Sequence, residues 1–379
     1  MSSRKQIANF RQLPCPQAGF TLVEIMVGLA IGMLATLVVM QVFTVFEAQK
    51  RTSTGSGDAQ TNGNIALYHI ARDLQLAGYA LMPTSIPTVN SPLTCSALTV
   101  DGTLDTSVPN RVFPVAITNG VADVGVSPSD VIRVSYGDTQ LGGNPIPIVK
   151  MGPAAGLATA NDAQVGSTFG CTNGSRTLVL SQDGLSCSLS TASNVVAASG
   201  VDPSYVTLAN TTAAAAGANL ACLGNWREVT YAVNNGNLER SGAVVVTGIV
   251  NLQAQYGISA AGKAPADNDY NTVVQWVDAT GTTWAAPSVA NRTRIKAVRV
   301  AVIARNTRKE PKDATNTCSV TAACSSRSAA NPTGLCAWAG TVASNAPLVD
   351  LSAGDPDWAC YRYRVFETII PLRNVIWSK

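Results

Sequence analysis

Apolar and polar positions fall into distinct regimes along the first 80 residues. Residues 1–19 are polar and carry Arg4, Lys5 and Arg11. Residues 20–46 are apolar apart from one charge, Glu24. The charge-free part, 25–46, has about the 20 residues that a helix needs to cross a hydrocarbon core. Past residue 46 the chain turns polar and includes Gly55, Gly57 and Gly63. Each glycine weakens a helix by about 1 kcal/mol relative to alanine, which opens this stretch to a kink or partial melting. Helical spacing returns with Leu67, Ile70, Leu74 and Ala77; Asp73 and Gln75 lie off that stripe and Gly78 is placed to cap the helix. The apolar face of this second half predicts packing on a sheet.

Farther along, 129–137 and 229–233 have strand character. The second leads through Asn234-Asn235-Gly236-Asn237 to Leu238-Glu239-Arg240, a hairpin by its Asn-Gly turn. Residues 244–256, 295–305 and 361–370 are further predicted strands. Two insert-like regions, about 153–222 and 306–357, are rich in Ala, Ser, Thr, Gly and Asn. That composition does not build a core by itself, so they are predicted to be loops.

Composition narrows the class. Charged residues are 13% of the chain, against about 25% in typical soluble domains. A net charge of +3 without a long basic run argues against a dedicated nucleic-acid binder. Of nine cysteines, Cys15 lies in the polar leader; Cys95, Cys171, Cys187, Cys222, Cys318, Cys324, Cys336 and Cys360 remain. An even number without a CxxC pair, in a chain whose only histidine is His69, points to disulfides in an oxidising compartment rather than zinc. Eight cysteines allow 105 connectivities. Local pairing predicts Cys171 with Cys187 and two bridges among Cys318, Cys324, Cys336 and Cys360.

Basic residues ahead of the apolar segment keep the leader cytoplasmic and send the rest outward. The small residue Gly19 precedes the apolar segment, so cleavage there leaves the helix on the mature protein as an anchor, unlike an ordinary secretory signal. A carboxylate near the bilayer centre costs roughly 2.5–3.5 kcal/mol, less near a helix end. Glu24 therefore calls for a cation, and cleavage supplies one: the new amino group of Phe20, one helical turn away. Gly28 and Gly32 form a GxxxG step, which either permits close helix approach or reflects the abundance of glycine in membrane helices.

Gly19-Phe20-Thr21-Leu22-Val23-Glu24, behind a short basic leader and ahead of a long apolar run, resembles the cleavage and N-methylation signal of type IV prepilins. The resemblance implies scission between Gly19 and Phe20 by prepilin peptidase and methylation of the Phe20 amine. It gives Glu24 the role of registering subunits during assembly. Major pilins often carry a proline in this helix, and the matching residue here is Gln41, which points away from a major filament subunit. The leader is also longer than the shortest known forms. Asn62-Gly63-Asn64-Ile65-Ala66-Leu67, with Ile70-Ala71-Arg72-Asp73-Leu74 and Ala77-Gly78-Tyr79, is similar to the helix end of PilW-type minor pilins. More distantly, it is similar to the J-type minor pseudopilins of type II secretion. Pro371-Leu372-Arg373-Asn374 matches the family's usual ending.

Catalytic and ligand motifs are weak. Gly257 to Lys263 fits seven positions of a phosphate loop, but Ala264 replaces the required hydroxyl and Pro265 obstructs a helix. Asp267, Asp269, Asn271 and Asp278 have partial calcium-loop spacing, without the central glycine or a bidentate Glu; a solvated turn is the better reading. With no GxSxG or HExxH and only His69 available for a triad, an enzyme is not expected, and no cofactor is implied. Arg292, Arg294, Lys296, Arg299 and Arg305 are expected on the solvent face of a strand, with a weak electrostatic contact to DNA or a partner surface as the alternative.

The expected fold is α+β, type IV pilin-like: a long N-terminal helix on an antiparallel sheet with disulfide-pinned loops. Its divisions are a removed leader at 1–19, a transmembrane and filament-core segment at 20–46, a linker and amphipathic half-helix at 47–79, and a β-rich head at 80–379. The implied function is a minor pilin that primes pilus assembly at or near the tip, supporting motility, adhesion or DNA uptake. The implied setting is the inner membrane before assembly and the periplasm or cell-surface pilus after it. Implied partners are other minor and major pilins, prepilin peptidase, the inner-membrane assembly platform and membrane lipid. The alternatives are a J-type minor pseudopilin and a membrane-anchored adhesin or binding protein with no filament role.

Overall fold

The computed structural model describes residues 19–81, 92–121, 128–141, 143–153, 156–310, 312, 315–318, 334–338, 348–351 and 355–377. The leader before Gly19 and Cys324 lie outside these residues. The chain divides into two units, Met1–Ser53 and Thr54–Lys379. A single helix is assigned over Leu22–Leu76.

In the first unit, every described helical side chain from 22 to 47 is exposed. An apolar helix with no buried face needs a non-aqueous or protein surround, and this helix is long and apolar enough to cross a membrane.

In the second unit the expected break near the glycines is absent, because two of them are packing positions. A Cβ on Gly63 would lie 2.2 Å from the Phe366 ring, and one on Gly55 would lie 3.1 Å from Asn306. The buried stripe runs Gly55, Ala59, Gly63, Ala66, Ile70, Leu74 and Ala77, at steps of three and four. Its first half is made of small residues, so the helix backbone approaches the sheet closely. Gly78, at φ +74°, turns the chain out of the helix as expected; its N–H donates to Ser135 O (2.9 Å).

Two antiparallel sheets share the core beneath this half-helix. One has five strands, in the order Ala243–Thr247, Asn237–Arg240, Trp226–Asn234, Ser129–Gly137, Val115–Val121. The other has four: Gln275–Val277, Ile249–Ile258, Ile295–Arg305, Tyr363–Pro371. Tyr231, Tyr256, Ile132, Val298, Val300 and Val302 pack there with Ile70 and Leu74. The hairpin turns at Asn235 (φ +49°) and Gly236 (φ +72°), the left-handed pair that a two-residue type I′ turn requires. The single strand predicted over 244–256 is two strands in different sheets. Gly248, at φ +73°, switches the chain between them; its C=O accepts the Arg305 N–H (2.7 Å).

The region 153–222 is not a set of loops. Its strands join Pro145–Met151 in a closed six-stranded barrel, in the order Ser186–Val196, Arg176–Leu180, Asn219–Gly224, Pro145–Met151, Asp162–Val165, Tyr205–Leu208, closed by pairing of the last with the first. Ile148, Ala163, Val165, Val179, Ala192, Val206, Leu208, Ala218 and Leu220 fill one core, while Leu178, Leu180, Leu189 and Ala221 face another. The lumen of a small barrel is narrow, so Ala and Val with only Ile148, Leu208 and Leu220 as larger aliphatics fill it, and the low content of large apolar residues is sufficient. Ala97–Val100 extends this sheet by a parallel pairing with Ser186–Val196. Helix, antiparallel sheets and disulfides match the expected class; the barrel goes beyond it.

The disulfides are Cys95–Cys187, Cys171–Cys222 and Cys318–Cys360. The expected Cys171–Cys187 pairing is wrong. The barrel places Cys171 beside the Asn219–Gly224 strand, and the parallel pairing of Ala97–Val100 with Ser186–Val196 brings Cys187 to Cys95, so the bridges join segments far apart in sequence. Cys318–Cys360 lies within the predicted C-terminal group.

Candidate functional site

The helix start follows from local chemistry. Thr21 precedes the first helical residue and Glu24 is three positions on. The Glu24 N–H donates to Thr21 Oγ1 (3.2 Å), and Glu24 Oε2 accepts from both the Thr21 N–H and its hydroxyl (3.3 Å each). This is a capping box, in which two otherwise unpartnered N–H groups are satisfied reciprocally. Glu24 thus has a second task beside any role in assembly: within its own chain, it closes the helix end. The T-x-x-E spacing carried this signal in the sequence. Phe20 is exposed beside it, and nothing lies within 4 Å of a Cβ built on Gly28 or Gly32. That face is open. Inside the helix, the hydroxyls of Thr36 and Thr44 donate to the carbonyls of Met33 and Gln41, which satisfies two polar groups in an apolar setting.

In the head, the strongest polar feature ties the helix to the hairpin. Asp73, expected off the buried stripe, is buried. The reason is a pair of partners: Tyr231 Oη donates to Asp73 Oδ2 (2.6 Å) and Arg240 Nε to the same oxygen (2.8 Å). Tyr231 Oη also lies 2.9 Å from His69 O. Burial, then the bond to Asp73, push the Tyr231 phenol up; the Asp73 bond holds the Arg240 guanidinium charged. His69, half-buried, contributes its backbone carbonyl here.

Gly63 tests the small-residue stripe. Gly63→Ala adds a methyl inside van der Waals contact of Phe366. The net expected loss is about 1–2 kcal/mol, because overpacking costs about 1–3 kcal/mol and the better helix propensity returns up to about 1 kcal/mol. Urea unfolding checks this, and pairing the change with Phe366→Leu should recover most of the loss. A Gly63→Ala protein as stable as the parent would show that the close approach is not limiting.

Asp130 links the two sheets. Its carboxyl accepts the N–H groups of Gly120 (2.9 Å) and Ala254 (2.7 Å). Burial pushes its pKa up to about 6, those two bonds oppose the rise, and the Asp278 charge adds to it. A folded pKa above the unfolded 3.8 means that the native state holds this proton more tightly. The stabilisation is full below pH 3.8 and lost as pH rises through 6. The head is expected to be about 1 kcal/mol more stable at pH 5 than at pH 7.5. Urea midpoints at the two pH values check this, and a flat or inverted difference would contradict it.

The basic cluster is not a solvent face. Arg292 Nη1 donates to Cys95 O (2.8 Å), and its guanidinium lies over Phe113. Arg294 lies over Trp284, and buried Lys296 lies 3.7 Å from the Tyr270 ring centroid. Arg299 pairs with Glu367 beside Trp276 and Trp338, and Arg305 lies over Tyr361. Aromatic faces and carboxylates take up these cations.

Residues 257–263 end the Ile249–Ile258 strand and enter a loop, where Lys263 pairs with Asp269 (2.9 Å). Asp267 accepts the Ala264 N–H and Asp278 accepts from Gln255. These partners already hold three of the four calcium-loop candidates. Among the described residues, no group of three or more His, Cys, Asp or Glu is arranged to hold a metal.

Two family models match the chain. The model for type IV Pilus-assembly protein W matches residues 226–374, and the prokaryotic N-terminal methylation motif matches 15–40. The first takes in the hairpin, the four-stranded sheet and the C-terminal ending; the second takes in the helix start. The barrel lies outside both. No curated protein and no solved structure matches significantly. Both families describe pilus assembly or pilin processing rather than enzymes.

Proposed function

We propose that this chain, which matches the model for type IV Pilus-assembly protein W over residues 226–374 and the N-terminal methylation motif over 15–40, is a minor pilin that primes pilus assembly and sits at or near the tip. The observation that carries the proposal is the helix start: a carboxylate one turn from Phe20, on an apolar helix whose described side chains are all exposed from 22 to 47. Prepilin peptidase removes residues 1–19, and the Phe20 amine is methylated. In the inner membrane, lipid surrounds residues 20–46, with the head outside the cytoplasm. On assembly at the inner-membrane platform, the same surface packs against the helices of other minor and major pilins. Glu24 then passes from its own Thr21 to the Phe20 amine of a neighbour. Register follows, because an unpaired charge in an apolar bundle is expensive.

The size of the head supports the tip position. A unit of 326 residues, Thr54–Lys379, is bulky for a subunit repeated along a shaft. Motility, adhesion or DNA uptake then follow from the assembled pilus. Mass spectrometry of protein purified from the native host tests the starting step. The expected N-terminus is methylated Phe20; an intact N-terminus beginning at Met1 would refute processing and, with it, this route into a filament.

A further inference from the structure

The barrel carries a cleft of about 700 Å³, lined by Asp138, Gln140, Leu141, Phe169, Asn173 and Asn225 among others. Three connections build it: the one after Ser129–Gly137, the one entering Arg176–Leu180, and the turn between Asn219–Gly224 and Trp226–Asn234. All its lining residues lie between 138 and 225, outside the segments that match known families.

Three observations define its chemistry. Phe169 is 74% exposed, yet the loop that presents it is held. Its N–H donates to Ser167 Oγ (3.1 Å), Cys171 is bridged to Cys222, and the Thr172 and Ser175 hydroxyls are bonded (2.6 Å). An aromatic ring on a tied loop is a preorganised platform, which lowers the ordering cost of binding. Second, Gln140 and Asn173 are exposed, and no hydrogen bond holds their carboxamides among the described residues. Each offers two donors and an acceptor in one plane. Third, no Lys or Arg is among the lining residues, and the one carboxylate, Asp138, is engaged by the Asn225 N–H (2.6 Å) and side-chain amide (2.9 Å) and by the Arg227 guanidinium (3.6 Å), whose charge it offsets. Nothing there selects a phosphate or sulfate, and a lone carboxylate does not hold a metal.

Amides beside an exposed aromatic face suit a neutral ligand with paired hydroxyls and an apolar C–H face. We propose that this cleft binds a neutral saccharide, with a pyranose face on Phe169 and adjacent hydroxyls on Gln140 and Asn173. Asp138 and Asn225 complete the lining. The assignment is independent of pilus priming, since it uses no residue of the helix.

Saturation-transfer NMR on the full protein tests it, in a phosphocholine detergent whose headgroup carries no sugar. The probes are maltose, lactose and N,N′-diacetylchitobiose at millimolar concentration. At least one is expected to receive saturation at its ring C–H protons. That transfer should fall at least tenfold in Phe169→Ala and in the Gln140→Ala/Asn173→Ala pair, and persist in Val201→Ala, a change at an exposed position outside the cleft. Phe169 makes so little of the core that its replacement should leave the melting temperature unchanged. No transfer to any of the three sugars would overturn the proposal, as would transfer that survives Phe169→Ala. Transfer to a neutral Gly-Ser-Asn peptide, but to none of the sugars, would assign the cleft to protein instead.

Discussion

Replacing Glu24 by alanine is expected to lower the number of surface pili by about two orders of magnitude while leader removal continues. Without Glu24, the amine of the neighbouring Phe20 would enter an apolar bundle unpaired, and removing one partner of a buried pair costs about 3–5 kcal/mol. Each 1.4 kcal/mol is about a factor of ten in an equilibrium constant. The capping box makes the interpretation more demanding. Glu24→Ala also removes the carboxylate that closes the helix end on Thr21, a loss of about 1 kcal/mol. Thr21→Val separates the two effects, because it breaks the cap and leaves the carboxylate available. Piliation in Thr21→Val should stay near that of the parent strain. Counting pili by electron microscopy, with mature protein quantified by immunoblot, distinguishes failed assembly from failed processing. Normal piliation in Glu24→Ala would remove the basis for the register mechanism.

In the head, Asp73→Ala should produce the largest loss of stability, about 3 kcal/mol, or a melting temperature lower by about 5 °C. The carboxylate is buried and accepts from both Tyr231 and Arg240, so its removal strands the guanidinium, while the phenol keeps only the His69 carbonyl as acceptor. Arg240 is 36% exposed at its side chain and recovers part of the loss by turning to water. Asp73→Asn keeps the shape and one acceptor, and should cost roughly half as much. The Asp73→Ala/Arg240→Ala double variant should be more stable than the sum of the two single losses. Strict additivity in urea unfolding would show that the pair is not coupled.

Much of this architecture was legible in the residues, where one physical signal dominated. The 20–46 run and its lone carboxylate had few alternatives. The strands 129–137 and 295–305 are bounded as their apolar content suggested, and Asn-Gly marked its turn. The errors share a cause, which is that nonlocal geometry determined the outcome. Gly55 and Gly63 looked like helix breakers, yet the sheet beneath them leaves no room for a side chain at Gly63. Asp73 looked solvated because its partners lie 158 and 167 positions away. The Ala-, Ser- and Thr-rich region looked unable to build a core, because its closure into a barrel is not written in any local period. Local pairing likewise misassigned Cys171, since barrel register placed it beside Cys222. The cationic residues near 292–305 alternate like an outward face, but five aromatic rings and a carboxylate from distant segments receive four of them.

The seating of Gly63 beneath Phe366 has a consequence for biogenesis. Phe366 belongs to Tyr363–Pro371, which joins the four-stranded sheet as its last partner in chain order. The half-helix around Gly63 emerges early and its cover emerges last, about 300 residues later. Until then that stripe of small residues lacks its lid, and a chain stopped short of residue 363 never receives one. Such a truncated chain is expected to be cut by proteases faster than the full-length one, because its helix face stays uncovered.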